Sequence, residues 1–136
     1  MPNLTITTND NSSVVLQSNG TPEYVSGTFT AAGAKTYPAG TILAVDSSTL
    51  KYIVFVKGGS TNDNGIPKAI LGTELTTTGA GDVAIRPLVS AVVNFNKLVI
   101  DADGDNSNID LAVKDQLRDY TIIVKEVDEL SSYDNQ

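Results

Sequence analysis

The feature that most constrains the fold is the way turn-forming residues divide residues 37–94 into short apolar runs. Runs such as Ile42-Leu43 and Ile53-Val54-Phe55-Val56 are each bounded by Gly, Pro, Asn, Asp or Ser. Runs of this length are too short for a core helix, and their β-branched and aromatic side chains favour strands. The pattern therefore predicts a small, mainly β body. Strands are expected within residues 24–34, 37–43, 50–56, 66–72 and 81–94.

Proline and glycine predict how these strands begin, turn and end. Pro38 suits the second position of a type I turn, and Gly40 suits the fourth. Residues 46–49 and 76–82 are polar segments between apolar runs, so both are expected to be turns. Pro87 has no backbone N–H to donate, so the last strand is expected to be an edge strand or to carry a bulge there.

Composition excludes several kinds of chemistry. The chain of 136 residues contains no cysteine and no histidine. It therefore cannot form a disulfide framework, a thiolate zinc site or a Ser-His-Asp triad. We expect no enzymatic activity, no catalytic residue, no cofactor and no metal site.

The negative charge is concentrated toward the carboxyl end. The net charge is −7, and residues 101–136 carry all of it, with ten acidic and three basic residues. Residues 1–100 carry six of each sign. Binding to phosphates needs clustered Lys and Arg, so a nucleic-acid partner is not expected. The polar residues 126–136 are interpreted as a solvated acidic tail.

Alternating acids at Asp101, Asp103 and Asp105 resemble the beginning of a calcium-binding EF-hand loop. The required glycine is displaced, because Gly104 stands at the fourth position of the loop rather than the sixth. Ala112 occupies the twelfth position, where a bidentate Glu is needed. A simple turn over residues 101–108 is therefore favoured, with calcium binding as the alternative.

One helix is predicted over residues 107–120. Ser107 or Asn108 can cap its amino end, and apolar residues recur along one stripe at helical spacing. The stripe consists of Ile109, Val113 and Leu117. Residues 121–125 follow as a final β-branched strand.

The first 23 residues contain two short apolar patches in a polar segment. The patches are Leu4-Thr5-Ile6-Thr7 and Val14-Val15-Leu16, and Asn9-Asp10-Asn11 between them indicates a turn. No secretory signal is predicted, and no apolar run approaches the ~20 residues that cross a membrane. Two readings stay open. The segment is either a loose leader or marginal hairpin, or a strand-forming arm that needs a partner's sheet edge.

The order of these segments resembles the head decoration proteins of tailed phages of the lambda type. The resemblance covers about residues 24–120 and rests on order and spacing rather than on one distinctive motif. It is carried by Tyr37-Pro38-Ala39-Gly40-Thr41-Ile42-Leu43, by Lys68-Ala69-Ile70-Leu71-Gly72, and by the strand that runs from Arg86 to Asn94. It implies a small β-barrel or β-tulip-like body with one late helix and an extended amino-terminal arm.

The resemblance also implies a function and a set of partners. The protein would be a structural cement protein on the outer surface of the virion, bound to the major capsid protein of the expanded head. It would assemble as a homotrimer, and its arm would become ordered on the capsid. The expected division is an arm at 1–23, a body at 24–125 and a tail at 126–136. The residues expected to contact the capsid are Leu4, Thr5, Ile6, Thr7, Val14, Val15 and Leu16.

Removing residues 1–17 is expected to leave the body folded, because the arm is expected to make few contacts with it.

The alternative function is a binding or adhesion module of another exposed assembly, which would use loops such as Gly58–Gly65. The absence of Trp counts against sugar stacking. An enzyme using Asp101, Asp103 and Asp105 is least favoured, since a solvated turn neither raises a pKa nor excludes water.

Overall fold

The structure is a computed structural model, and it describes residues 14–16 and 21–126. Most of the described chain forms short strands, followed by one α-helix and a final strand. The strands are β1 (Glu23–Tyr24), β2 (Gly27–Ala31), β3 (Ala34–Tyr37), β4 (Ile42–Val45), β5 (Tyr52–Val54), β6 (Ala69–Ile70), β7 (Leu75–Thr78), β8 (Gly81–Ile85), β9 (Leu88–Asn94) and β10 (Ile122–Lys125). A 3-10 helix spans Phe95–Lys97, and helix α1 spans Leu111–Asp119.

The strands form one large curled sheet and one small ribbon. The large sheet has the order β1-β9-β6-β4-β5-β2-β8, with β10 lying parallel to β9, and it curls into a half-barrel. Strands β3 and β7 form a separate antiparallel pair. The predicted mainly β body with one late helix is thus confirmed.

The centre of the sheet is buried on both faces. In β4, Ile42 faces a core that also contains Val113 and Leu117 of α1. Its neighbour Leu43 faces a second core on the other side, with Phe29 and Tyr37. Successive strand residues point to opposite faces, so a strand covered on both sides needs a continuous apolar run. This explains the sequence Ile42-Leu43-Ala44, in which every side chain is fully buried.

The predicted long strand 81–94 is divided into β8 and β9 at Arg86-Pro87. The pairing of β1 with β9 also shifts register, because Glu23 stands opposite Ser90 while Tyr24 stands opposite Leu88. Pro87 cannot donate to a ladder, so the chain bends where the sequence predicted an irregularity.

The expected turn at residues 76–82 is confirmed only at residues 79 and 80, because strands occupy both of its ends. Thr76-Thr77-Thr78 belongs to β7, and only residues 79 and 80 separate it from β8. Threonines pair well across antiparallel strands, as Thr36 and Thr76 do through a hydroxyl–hydroxyl contact of 3.1 Å. The buried Thr77 hydroxyl donates to the Gly33 carbonyl oxygen at 2.6 Å. A run of threonines was therefore a strand signal rather than a turn signal.

The helix begins later than predicted. Its N-cap is Asp110, whose carboxylate accepts from the Val113 N–H at 3.1 Å, rather than Ser107 or Asn108. Ser107 instead bonds to the Asp105 carboxylate in the preceding turn. The predicted apolar stripe is confirmed, since Val113 and Leu117 are the buried residues of α1. Ile109 is buried as well, although it precedes the helix.

The turn at residues 38–41 also differs from the prediction. The Thr41 N–H donates to the Pro38 carbonyl at 3.2 Å, so Pro38 is the first residue of the turn and Gly40 the third. Gly40 has a φ of +98°, as the third position of a type II turn requires. A Cβ on Gly40 would overlap the carbonyl oxygen of Lys97. Glycine is needed here for its backbone conformation and for the close approach of two chain segments.

We predict that Gly40→Ala lowers the free energy of unfolding by at least ~2 kcal/mol, because the left-handed backbone alone disfavours a Cβ by about 1–2 kcal/mol. Urea denaturation of both proteins measures the change. Gly33→Ala is the matched control, since a Cβ at Gly33 meets nothing within 4 Å. A Gly40→Ala protein as stable as the Gly33→Ala protein would contradict this account of the turn.

Candidate functional site

The residues predicted to contact a capsid fall into two groups. Leu4, Thr5, Ile6 and Thr7 lie outside the described residues. Val14, Val15 and Leu16 are described, and we call this short segment the root. The side chains of Val14 and Val15 are only 6% and 7% exposed, and Leu16 is half-buried.

The root is an added strand on β9. The Leu16 N–H donates to the Val92 carbonyl at 2.9 Å, and the Asn94 N–H donates to the Val14 carbonyl at 2.8 Å. Val15 stands opposite Val93 in an antiparallel bridge. These bonds place the root on one edge of β9, while β10 occupies the opposite edge.

The root side chains complete the core beneath α1. Val14 and Val15 belong to the same apolar cluster as Leu117 and Ile122. In this conformation they stabilise the body and are not exposed to a partner. This contact was not predicted, because residues 1–23 were interpreted from the sequence as a segment separate from the body. A signal for it in the sequence is the continuous apolar run Val14-Val15-Leu16, which is typical of a strand that is covered on both faces.

The carboxyl end of β9 is the place where both ends of the chain leave the described body. Asn94 is paired with Val14 on one edge and stands in register with Lys125 of β10 on the other. Residues 1–13 precede the root, and residues 127–136 follow β10. Adjacent strands are about 4.8 Å apart, so these two segments start within about 10 Å of each other.

This end of the body is held together by polar contacts. The Asn94 side chain accepts from the Asn96 N–H at 3.0 Å, and the Asn106 side chain donates to the Phe95 carbonyl at 3.1 Å. The Lys114 ammonium lies 4.5 Å from the centre of the Phe95 ring and 3.4 Å from the Glu126 carboxylate. The chain ends therefore leave from a defined surface built by β9, α1 and the turn before α1.

Residues 101–108 form the predicted turn, and the carboxylates of this segment contact different partners. Asp101 is 17% exposed and pairs with Lys35 at 2.6 Å. The hydrogen bond to Asp101 raises the pKa of Lys35. Asp105 accepts from the hydroxyl and the N–H of Ser107, which lowers the pKa of its carboxyl. Within residues 14–16 and 21–126, no group of three potential metal-ligating side chains comes together.

Asp110 has two roles at the start of α1. Its carboxylate caps the helix and also pairs with the Lys57 ammonium at 2.8 Å. The bond from Lys57, followed by the bond from the Val113 N–H, lowers the pKa of the Asp110 carboxyl. The ionised form is therefore favoured in the folded protein.

The loop of the alternative function is well structured. Its Asn64 carbonyl accepts from the Val56 N–H at 2.9 Å, and its Asn62 carbonyl accepts from the Ser47 N–H at 3.0 Å. Asn62 and Asp63 both have left-handed φ values, which these residue types tolerate well. Beside this loop the turn after β4 displays Leu50, which is 77% exposed. Leu50 was predicted to lie within a strand, but it precedes β5 and is exposed.

Comparison with known families gives one match. The family described as bacteriophage lambda head decoration protein D matches residues 5–122. Comparisons with curated proteins and with solved structures gave no match. None of the helices in the described part of the chain has the length and apolarity that crossing a bilayer requires.

The family match covers nearly the whole described body together with part of the segment before the root. It identifies the chain as a structural protein associated with the heads of bacteriophages. The chain belongs to the family of the lambda head decoration protein D. The resemblance stated from the sequence is thereby confirmed.

The buried root revises the expected effect of truncation. We predict that removing residues 2–13 leaves the midpoint of urea unfolding unchanged, whereas removing residues 2–17 lowers the free energy of unfolding by about 3 kcal/mol or more. The second deletion takes away two buried valines, and each contributes about 1.5–3 kcal/mol. Full-length protein is the control. Equal stability of the two truncated proteins would show that the root does not pack on β9.

We predict that Asp110→Ala lowers the melting temperature by a few degrees, because it removes both the helix cap and the ion pair. Asp110→Asn keeps a capping oxygen and should lose less. The folded pKa of Asp110 lies below its ordinary value of 3.8, so its ionisation stabilises the fold above that pH. The difference between wild type and Asp110→Asn should disappear as the pH falls through the folded pKa. A difference that persists at lower pH would exclude the carboxylate as its cause.

Proposed function

We propose that this protein decorates the outer surface of the expanded phage capsid and stabilises the shell as a cement protein. The observation that carries the proposal is the family match over residues 5–122, which includes part of the segment before the root. Its partner on the shell is the major capsid protein. It has no cofactor, no catalytic role and no nucleic-acid or membrane partner in this function.

The attachment proceeds through residues 1–13, the part of the expected arm that precedes the root, and from here on the name arm means these residues. Leu4 and Ile6 alternate with Thr5 and Thr7, so the segment can add as a strand to an exposed sheet edge of the capsid protein. Main-chain hydrogen bonds then supply affinity, and the apolar side chains enter pockets on one face. An arm of 13 residues reaches at most about 45 Å from Val14 when fully extended.

The root has a different part in this mechanism from the one that the sequence suggested. Val14 and Val15 are buried in the body, and Leu16 is hydrogen-bonded to β9. We therefore assign them to anchoring the arm rather than to contacting the capsid. A fixed anchor limits the volume that the arm can explore and raises its effective concentration at a nearby capsid edge.

Assembly as a homotrimer would multiply this effect. Once one arm is bound, the second and third arms bind intramolecularly, so weak individual contacts give strong attachment. Three attached arms would also link neighbouring capsid subunits and oppose their separation. The alternative function, a binding module of another exposed assembly, would use the ordered loop around Asn62 and Asn64 instead of the arm.

The test is binding to purified expanded shells. We predict that Ile6→Pro and removal of residues 2–13 each lower the affinity for shells at least about tenfold, since losing about 1.4 kcal/mol is enough for that change. Proline at position 6 removes a ladder donor from the arm. Ile6→Val is the matched control, because it keeps a β-branched apolar side chain and should bind like wild type.

Cosedimentation measures the affinity, and electron microscopy shows where the protein sits. Added density at regular positions on the outer surface, with three copies at each position, supports decoration and the trimer. Armless protein that binds shells as tightly as wild type would reject the arm mechanism. If the full chain leaves shells undecorated, the proposed function is wrong.

A further inference from the structure

The two edge strands of the half-barrel, β1 and β8, differ in how well they are protected against pairing with another chain. At one end of the strand order, β1 has only two residues, follows Pro22 and contains the exposed Glu23. Short length, proline and charge are devices that keep an edge from pairing with another chain. At the other end, β8 has five residues and contains neither proline nor lysine; its one charged residue, Asp82, is paired with Lys51, and Pro87 stands two residues beyond its end. Among residues 14–16 and 21–126, its strand partner is β2 alone.

The side chains of β8 divide cleanly between its two faces. Val83 and Ile85 pack toward the core that contains Phe29, and Ile85 is buried while Val83 is half-buried. Asp82, Ala84 and the following residue Arg86 are exposed. A strand added beside β8 would therefore need apolar residues opposite Val83 and Ile85, and polar or small residues on the other face.

The charges at this edge are of both signs. The Asp82 carboxylate accepts from the Lys51 ammonium at 2.5 Å and from the Thr30 hydroxyl at 3.1 Å. These bonds lower the pKa of Asp82, the one from Lys51 most strongly. Asp82 therefore stays ionised and is held on the exposed face, on the same side as Arg86, which lies four residues further along the chain.

We propose that β8 pairs antiparallel with β8 of a second copy of this chain, about a two-fold axis at Ala84. This register places Asp82 opposite Arg86 of the second copy, and Arg86 opposite its Asp82. Val83 then meets Ile85 of the second copy, so the half-exposed valine is covered on the core side. Small alanines face each other on the axis, where two identical side chains must fit.

The sequence of β8 is thus complementary to itself in charge, in apolar pattern and in side-chain size. Opposite charges in facing positions stabilise a strand pair, whereas a register with Asp82 opposite itself would place like charges together. The contact is isologous, because the same patch is used by both copies. A three-fold ring needs two different patches, so this contact is separate from the proposed trimer and would join copies that belong to different trimers.

The contact is small, since it consists of one short strand from each copy. Stable protein interfaces bury about 1,200–2,000 Å², and one pair of edge strands covers less. We therefore expect weak association in dilute solution and stronger association where copies are crowded. A covalent trap is a more sensitive test than a measurement of mass.

The trap is Ala84→Cys, which introduces the only thiol in the chain. Facing residues in an antiparallel pair have Cα atoms about 4.5–5.5 Å apart, and a disulfide spans about 4.4–6.8 Å. We expect mild oxidation of concentrated protein to give a covalent dimer as the main product. Ala112→Cys, at an exposed alanine of α1, is the matched control and should give several-fold less dimer.

A second change tests the register. Adding Arg86→Glu to the Ala84→Cys protein places Glu opposite Asp82 and should reduce the rate of crosslinking several-fold at low salt. High salt should reduce the difference in crosslinking rate between the Ala84→Cys protein and the double variant, because exposed charges are screened. Circular dichroism of each variant before oxidation shows that the fold is kept.

The outcomes separate this inference from the proposed function. The proposal is overturned if Ala84→Cys crosslinks no faster than Ala112→Cys, or if Arg86→Glu leaves the rate unchanged. Binding of the wild-type chain to shells is measured separately and does not depend on either result. Decoration without crosslinking would therefore reject only the β8 contact, and crosslinking without decoration would reject only the proposed function.

Discussion

The need of β9 for strand partners on both edges is the constraint on which the rest of the structure depends. Leu88, Val93 and Asn94 of this strand are buried, and leaving a buried backbone group unpaired costs about 1–3 kcal/mol. The strand meets this need with β1, β6, β10 and the root. Because β10 follows α1 directly, pairing of β10 with β9 also places the helix over the core. The pairings of β9 also place Val14 and Lys125 on opposite edges of the strand beside Asn94.

The sequence predicts the parts of this fold that depend on local pattern. Short apolar runs identified most strands, and the spacing of Val113 and Leu117 identified the buried face of α1. The prediction was wrong where the outcome depends on a distant partner. The threonines of β7 form a strand because β3 lies beside them, and the root is buried because β9 offers an edge. The predicted helix cap was wrong for a local reason, because the Ser107 hydroxyl donates to Asp105 and Asp110 caps the helix instead.

The buried root changes the energetics of the proposed arm. Ordering one residue costs about 1–2 kcal/mol in backbone entropy, so a free segment of 23 residues would lose much of its binding energy to ordering. Anchoring at Val14 removes this entropic cost for the root, because packing in the core already keeps the root residues ordered. In the proposed mechanism, the entropic cost of attachment would then fall only on the residues of the arm. In this mechanism, the body would contribute to attachment without contacting the capsid through these side chains.

Recognition by main-chain pairing, as proposed for the arm, would also account for the lack of a distinctive chemical motif in this chain. A strand added to a sheet edge needs alternating side chains and free N–H and C=O groups, and many sequences satisfy this need. Selection for such a contact therefore acts on the order and spacing of elements rather than on particular reactive residues. The same physics makes every unguarded edge a potential contact. A protein that binds through sheet edges must therefore protect the edges that should not pair. The edge strands β1 and β8 differ in how far they are protected.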